Sequence, residues 1–422
     1  MMSDNQQPVE YSEKISFLTL KKFFNDPLSK NAVILLMTWF MNAAVGFIFI
    51  LLAAKNYSVD IVGIAMLLIA YSNIVILVSR FGIEQSMIRY HNDYNKSLIF
   101  FTAVIITTIL AVIIGILVLI MSFTGFLGQD ILTNYAGIFL LGVCLLSVCE
   151  VCGFFFLAYG KPELYFMQSV VTGTRLVFLI LFISMGVFGL FSSLIVAIGL
   201  SVVFSLPFVY HLGAKQFAIG KMFLLDSLHF SVGNYISDFF LTTPVFFLPI
   251  MVYLLFDQRA TALYSVAYAV ASIAFLIPSS IGYATFISGC RNNNSDKSIH
   301  TIILPTLALI IAIISVFFIW GQSIVGFFGP DYSGTSGIIT TIMTASIFAL
   351  FFQIYTANFR IQNRIKELIL FNMVLFFLLL TMSYYFMIYF GLIGVGYAWI
   401  GSYAVCVIAV AGYSFLKKYL AV

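Results

Sequence analysis

A chain of 422 residues that is 62% hydrophobic and only 9% charged, with mean hydropathy +1.09, holds about half again the apolar share and about a third of the charge of a soluble domain. That excludes a water-soluble globular protein. With about 20 apolar residues needed per crossing, the chain has room for roughly a dozen membrane spans and none for a soluble catalytic domain. The net charge of +4 rests on Lys and Arg scattered through short polar gaps, which is a topology signal and not a nucleic-acid one.

The first 30 residues are polar and of mixed charge, unlike the basic region of a cleaved signal peptide, so the first span is expected to act as an uncleaved membrane signal. Apolar runs follow at 31–54, 60–80, 98–121, 133–158, 164–184 and 188–210. After a gap they resume at 228–256, 260–288, 299–321, 336–358, 367–388 and 392–416. This predicts twelve helices, with Pro244 and Pro249 placed to bend or break the seventh. The gap 211–227, with Lys215, Lys221 and Asp226 among Phe and Leu, reads as an amphipathic linker on the membrane surface. The expected organisation is thus a segment 1–30, a six-helix bundle 31–210, the linker, and a second bundle 228–422.

An even number of spans puts both termini on one side. With the termini inside, seventeen Lys and Arg fall in inside gaps and only Lys55 and Arg259 outside, leaving Arg175 within a span. The positive-inside rule therefore predicts cytoplasmic termini in a cell (inner or plasma) membrane.

The two halves echo each other. The run 125–130 (GFLGQD) recurs at 326–331 (GFFGPD), Lys96-Ser97-Leu98 at Lys297-Ser298-Ile299, Gly137-Ile138 at Gly337-Ile338, and Gly186-Val187-Phe188-Gly189 at Gly391-Leu392-Ile393-Gly394, at offsets of 200 to 205. Six spans per half keep the halves in the same orientation. The fold class expected is an all-α integral membrane protein, two six-helix bundles related by a pseudo-two-fold along the membrane normal, as in alternating-access transporters.

Several motifs then carry a family resemblance. Phe81-Gly82-Ile83-Glu84-Gln85-Ser86-Met87-Ile88-Arg89-Tyr90, the turn Ala158-Tyr159-Gly160-Lys161, Ala262-Leu263-Tyr264-Ser265-Val266-Ala267, Phe328-Gly329-Pro330-Asp331-Tyr332 and the Gly391-to-Gly394 loop resemble signatures of polysaccharide and O-antigen flippases in the multidrug/oligosaccharidyl-lipid/polysaccharide exporter superfamily. The resemblance implies a non-enzymatic flippase that carries a polyprenyl-pyrophosphate-linked glycan between leaflets, in contact with membrane lipid, and it allows for other glycan-assembly proteins as partners. A cation-coupled multidrug exporter of the same fold is the alternative. A glycan-polymerising enzyme is disfavoured because the longest outside gap, near 122–132, holds one acid and no base.

Moving a pyrophosphate and sugar through hydrocarbon requires polar groups facing an internal path, because intramembrane charges persist only where they pair or meet water. Arg175 stands midway along the fifth span, and its planar fork suits phosphate. Glu150 lies on the fourth span at a depth, counted from the Lys161 turn, that matches Arg175 to about one helical turn, so the two are expected to meet as an ion pair or as an anion site with its acid. Asn42 and Asp238 occupy equivalent places in the first and seventh spans, both facing the cavity in this reading. Asp238 and Glu150 are candidates for ion coupling. Arg80, Glu84 and Arg89 end the second span, positioned to snorkel or to capture a diphosphate first. Cys149 and Cys152 form a C-x-x-C on an apolar helix, and His91, His211, His229 and His300 lack ligand spacing, so neither a metal nor a cofactor is expected.

The charge asymmetry yields a direct test. In a cysteine-free background, a Cys placed at Asn363 should resist an impermeant maleimide in intact cells and react after permeabilisation; labelling in intact cells reverses the orientation.

Overall fold

The computed structural model describes residues 27–125, 131–291 and 295–420. The basic residues Lys14, Lys21 and Lys22, the N-terminal segment that carries them, and most of the 125–130 motif lie outside the described residues. Hydrocarbon offers backbone groups no hydrogen-bond partners, so the apolar runs close their bonds internally as helices. In chain order these are α1 Pro27–Asn56, α2 Val59–Arg80, α3 Ile83–Arg89, α4 Lys96–Phe123, the short α5 Ile131–Asn134, α6 Ala136–Ala158, α7 Pro162–Thr172, α8 Arg175–Leu181 and α9 Gly186–Leu212. The second half contributes α10 Lys221–Leu255, α11 Gln258–Arg291, α12 Ser295–Gly326, α13 Ser336–Ile361, α14 Ile365–Phe390 and α15 Gly394–Leu420. Among the described residues eleven stretches are long and apolar enough to cross a membrane, and the last, Ile365–Tyr413, is 49 residues long, more than twice one crossing. It turns at Gly391 into α14 and α15, which makes twelve.

The chain is a multi-pass membrane protein built of two lobes, α1–α9 and α10–α15. In the first lobe α4 and α9 both pack on α6; in the second α13 packs between α11 and α15, and α14 lies against α10 and α15. The repeat is visible in local geometry as well as in sequence. The hairpin between the fifth and sixth spans turns through Gly186 at φ 58°, and the one between the eleventh and twelfth through Gly391 at φ 69°, a region that favours a residue without Cβ. Three residues on, a Cβ at Gly189 would sit 2.1 Å from the Phe182 carbonyl oxygen, and one at Gly394 would sit 2.1 Å from that of Phe386. Each pair of glycines lets a new span start hard against the end of the preceding one.

Two boundaries differ from expectation. The connector between the lobes is 213–220, shorter than the expected 211–227, because α9 continues to Leu212 and α10 starts at Lys221. Pro244 and Pro249 do not break the seventh span, since α10 runs through both. Two breaks went unforeseen. Phe81 and Gly82, at φ 44° and 78°, separate α2 from α3, and Gly173-Thr174 separates α7 from α8.

The lobes meet along α2, which packs against α10 and α11. Near the end of the bundle bearing Lys55 and Arg259, one apolar core unites Phe49, Ala53 and Val62 of the first lobe with Leu248, Val252, Ala262 and Phe328 of the second. Contact is tightest at Gly63, where an added Cβ would lie 1.8 Å from the carbonyl oxygen of Gln258. Gly63→Ala should therefore force α2 and α11 apart at this end, at an overpacking cost of about 1–3 kcal/mol. A reporter Cys at Asn73 should then react faster with an impermeant reagent added from the Lys55 side; an unchanged rate means that Gly63 does not hold the seal.

Candidate functional site

Between the lobes lies a cavity of about 900 Å³, lined by the first, second, seventh and eighth spans. Its polar side chains are Asn42, Asn73, Ser265, Ser272, Tyr264 and Tyr268, while Phe47, Phe246 and Pro249 supply apolar wall; none of the lining residues is charged. Asn42 lines the cavity, and its amide also donates to Ser169 Oγ at 3.3 Å, tying α1 to α7. Phe40, Ile273 and Leu276 line the cavity and are also exposed, Phe40 to 70%. The cavity therefore opens sideways between α1 and α11.

Arg175 stands behind this wall. A Cβ at Gly46, a lining residue, would lie 3.7 Å from Arg175 Nη2, and the guanidinium lies over the Phe49 ring at 5.4 Å. Arg175 Nε is buried without a hydrogen-bond partner, and Arg175 makes no ion pair among the described residues. The expected Arg175–Glu150 pair is not formed. Gln168 on α7 donates to the Cys149 carbonyl at 2.7 Å, so α7 has reached the level of Glu150 seven residues before Arg175. Arg175 thus lies about 10 Å farther along the span. In an unbroken helix seven residues nearly restore the same face, but the interruption at Gly173-Thr174 separates Arg175 from the α6-facing side, and α8 packs on α1.

Glu150 instead meets Arg80 at 3.2 Å, with Arg80 also 3.8 Å from Glu84. The left-handed pair Phe81-Gly82 turns the chain between Arg80 and Glu84, and α3 packs on α6, so the second span's terminal charges are gathered against the fourth span. Arg80 thus compensates its charge inside the protein and does not snorkel out. Next to this cluster the lobes are joined by polar contacts. Gln85 donates to Asp238 at 3.0 Å, the Tyr235 hydroxyl to the Leu77 carbonyl at 3.1 Å, and Ser86 to the Ser227 carbonyl at 3.3 Å. Farther out Tyr94 donates to Asp226, which pushes the phenol's pKa up to about 12.

Arg80 and Asp238 each lie seven residues beyond cavity-lining Asn73 and Val245, about 10 Å nearer the end rich in basic loops. Asp238 is not a lining residue, contrary to the expectation that it faces the cavity. The Lys55 end is sealed by apolar packing, whereas the basic end combines these hydrogen bonds with aromatic contacts between the lobes, Phe81 on Tyr235 at 5.1 Å and Tyr94 on Phe223 at 5.6 Å between ring centroids. Arg89 is exposed at the end of α3, over the Tyr90 ring at 6.0 Å. Sequence reasoning missed Asn73, Ser265, Ser272 and Tyr268, whose only signal was polarity within an apolar run, and Gly46, a residue without a side chain. It also missed Asn372, which donates to Ser237 Oγ at 3.0 Å and anchors α14 to α10 beside Asp238.

No family model and no curated protein matches the sequence. Solved structures do match in shape. The lipid II flippase MurJ in an inward closed conformation is 11% identical, with TM-score 0.75, over 91% of this chain and 88% of that one. A multidrug resistance MATE family transporter of the MOP superfamily in an inward-facing conformation is 14% identical, with TM-score 0.70, over 89% and 94%. An outward-facing MATE structure gives 0.61, at 14% identity over 94% and 96%. At such identities the likeness is one of fold: the twelve-helix, two-lobe transporter fold these proteins share.

The corrected pairing makes its own prediction. In a double-mutant cycle on thermal stability, Glu150→Gln should couple to Arg80→Gln, within the usual range of about 0.5–3 kcal/mol for touching residues, and should be additive with Arg175→Gln. Coupling to Arg175 instead would restore the pairing inferred from depth.

Proposed function

We propose that this protein is an alternating-access flippase that moves a lipid-linked oligosaccharide or polysaccharide precursor from the cytoplasmic to the outer leaflet, the basic end facing the cytoplasm. The observation that carries the reading is a half-buried guanidinium, with no ion pair among the described residues, beside a gap in the wall of a laterally open cavity. A polyprenyl chain can stay in lipid while its headgroup enters between α1 and α11, past Phe40 and Leu276. The headgroup then meets amide donors on Asn42 and Asn73 and the hydroxyls of Ser265 and Ser272, which donate to the Thr261 and Ala269 carbonyls and remain free to accept, and Tyr268 offers a face on which a sugar ring can stack. Arg175 supplies the charge that pyrophosphate needs, reaching it past Gly46. A mid-span Arg costs about 2.5–3.5 kcal/mol on insertion scales, and among the described residues no carboxylate pairs with it. A substrate anion would.

Alternation requires one seal to open as the other forms. The Gln85–Asp238, Tyr235 and Ser86 contacts are the inner gate in this reading, with Arg80, Glu84 and Glu150 holding α3 in place and Asp238 able to couple gate opening to a proton or cation. Hydrogen bonds suit an end that meets water, because water replaces them when the lobes part. A second reading, export of an apolar drug, is favoured by the uncharged lining of the cavity. It differs in needing neither Arg175 nor the gap at Gly46.

The two readings separate under substitution. In proteoliposomes or in complementation of glycan assembly, a well-expressed Arg175→Gln protein should lose flipping, and Arg175→Lys should recover only part, since an ammonium lacks the bidentate fork. Gly46→Ala makes only an ordinary 3.7 Å contact with the guanidinium and should retain activity, whereas the larger Gly46→Val should screen Arg175 and lose it. Normal flipping by Arg175→Gln would remove Arg175 from the mechanism and leave drug export to be assayed.

A further inference from the structure

A second hollow lies away from the transport path, on the lipid-facing side of the first lobe. It has a volume of about 470 Å³ and is lined by Phe100 and Phe101 of α4, by Val203, Leu206, Pro207 and Tyr210 of α9, and by Ala214 of the connector. It exists because α4 and α9 both pack on α6 and not closely on each other. Val203, Leu206 and Tyr210 are exposed, Val203 to 67%, so the hollow is a groove open to the bilayer. Hydrocarbon is the solvent there, and an acyl chain fills an apolar groove at no desolvation cost.

What distinguishes this groove from any other dent in the lipid-facing surface is its basic end. The Lys215 ammonium lies 5.9 Å from the Tyr210 ring centroid, is exposed, and forms no ion pair among the described residues. His211 and Lys221 are exposed nearby, while Lys96 is engaged, donating to the Leu212 carbonyl at 3.1 Å. Phe217 packs on Phe101 at 5.3 Å between ring centroids, and Phe217, Ile219 and Met222 turn exposed apolar surface outward. That composition, basic and apolar side by side, fits the headgroup layer.

We propose that this groove binds an anionic glycerophospholipid of the surrounding bilayer, with an acyl chain along Val203, Leu206 and Pro207 and the phosphate at Lys215. The location gives the lipid a role. The connector at its head is the only described covalent link between the lobes, and it is laced to α4: Ser97 donates to the Gly213 carbonyl at 3.2 Å, the Gln216 amide donates to Ser97 at 3.2 Å, and the Gly220 amide donates to Thr102 at 2.9 Å. A phospholipid bridging Lys215 and the groove braces that joint against the first lobe. The site stands on geometry outside the cavity and is independent of the transported substrate.

The test uses the purified full chain equilibrated with phosphatidylglycerol or phosphatidylcholine of identical acyl chains and examined by native mass spectrometry. One phosphatidylglycerol should be retained preferentially, by about fivefold for one lysine near a headgroup. Lys215→Glu should abolish the preference, and Val203→Trp, which fills the groove, should reduce retention of both lipids. In parallel, phosphatidylglycerol carrying a diazirine on its acyl chain should label the α9 peptide containing Val203 to Tyr210 in the wild-type chain, which needs no variant to fold. Equal retention of the two lipids, a preference that survives Lys215→Glu, or label spread evenly around the lipid belt would overturn the proposal.

Discussion

Hydrocarbon gives no hydrogen bonds, and this protein's polar groups are arranged by that constraint. Backbone groups satisfy themselves in helices; side chains must find a partner or a cavity. Arg80, Glu84 and Glu150 find one another, Gln85 finds Asp238, and Asn42 reaches both Ser169 and the cavity. Arg175 has an aromatic face beside it and, among the described residues, no ion pair, and its Nε is one of several buried polar atoms left without a partner. An unpaired guanidinium at mid-membrane is destabilising on its own, and its place behind a glycine in a cavity wall is where such a cost has a functional use.

The same constraint explains why the two ends of the cavity are closed differently. Helices in lipid gain little from apolar contact as such, so close approach depends on small residues. Gly63 against Gln258 brings α2 and α11 together at one end, and the apolar core around Phe49, Val62 and Val252 continues that packing. At the other end hydrogen bonds from Gln85, Tyr235 and Ser86 stand beside the aromatic contacts of Phe81 with Tyr235 and of Tyr94 with Phe223. A packed seal is lost over a whole surface when it opens, whereas a polar one exchanges partners with water.

Much was legible from sequence because it depends on composition and local pattern. Twelve apolar runs of spanning length, a one-sided distribution of basic residues and a repeat at an offset near 200 define a twelve-span, two-lobe membrane protein, and the paired hairpins at Gly186 and Gly391 show the repeat in backbone geometry. Asn42 was identifiable as a polar residue with no reason to sit in an apolar helix. The breaks at Phe81-Gly82 and Gly173-Thr174 were not, since a phenylalanine in left-handed conformation and an isolated Gly-Thr pair carry little local signal. Those two breaks redirect the charges.

The sequence by itself determined how many times the chain crosses, which loops are basic and which polar side chains are stranded in the membrane, because each follows from residue type and spacing along one helix. Tertiary structure decided the partners. Depth along a hairpin matched Arg175 to Glu150, yet the contact also depends on the facing of each helix and on how far each extends from its turn; the break before Arg175 and the turn after Arg80 reset both. Spacing along a helix is fixed by the hydrogen bonds within it, but facing between helices is set by side-chain packing across the whole lobe, which no local run of sequence contains.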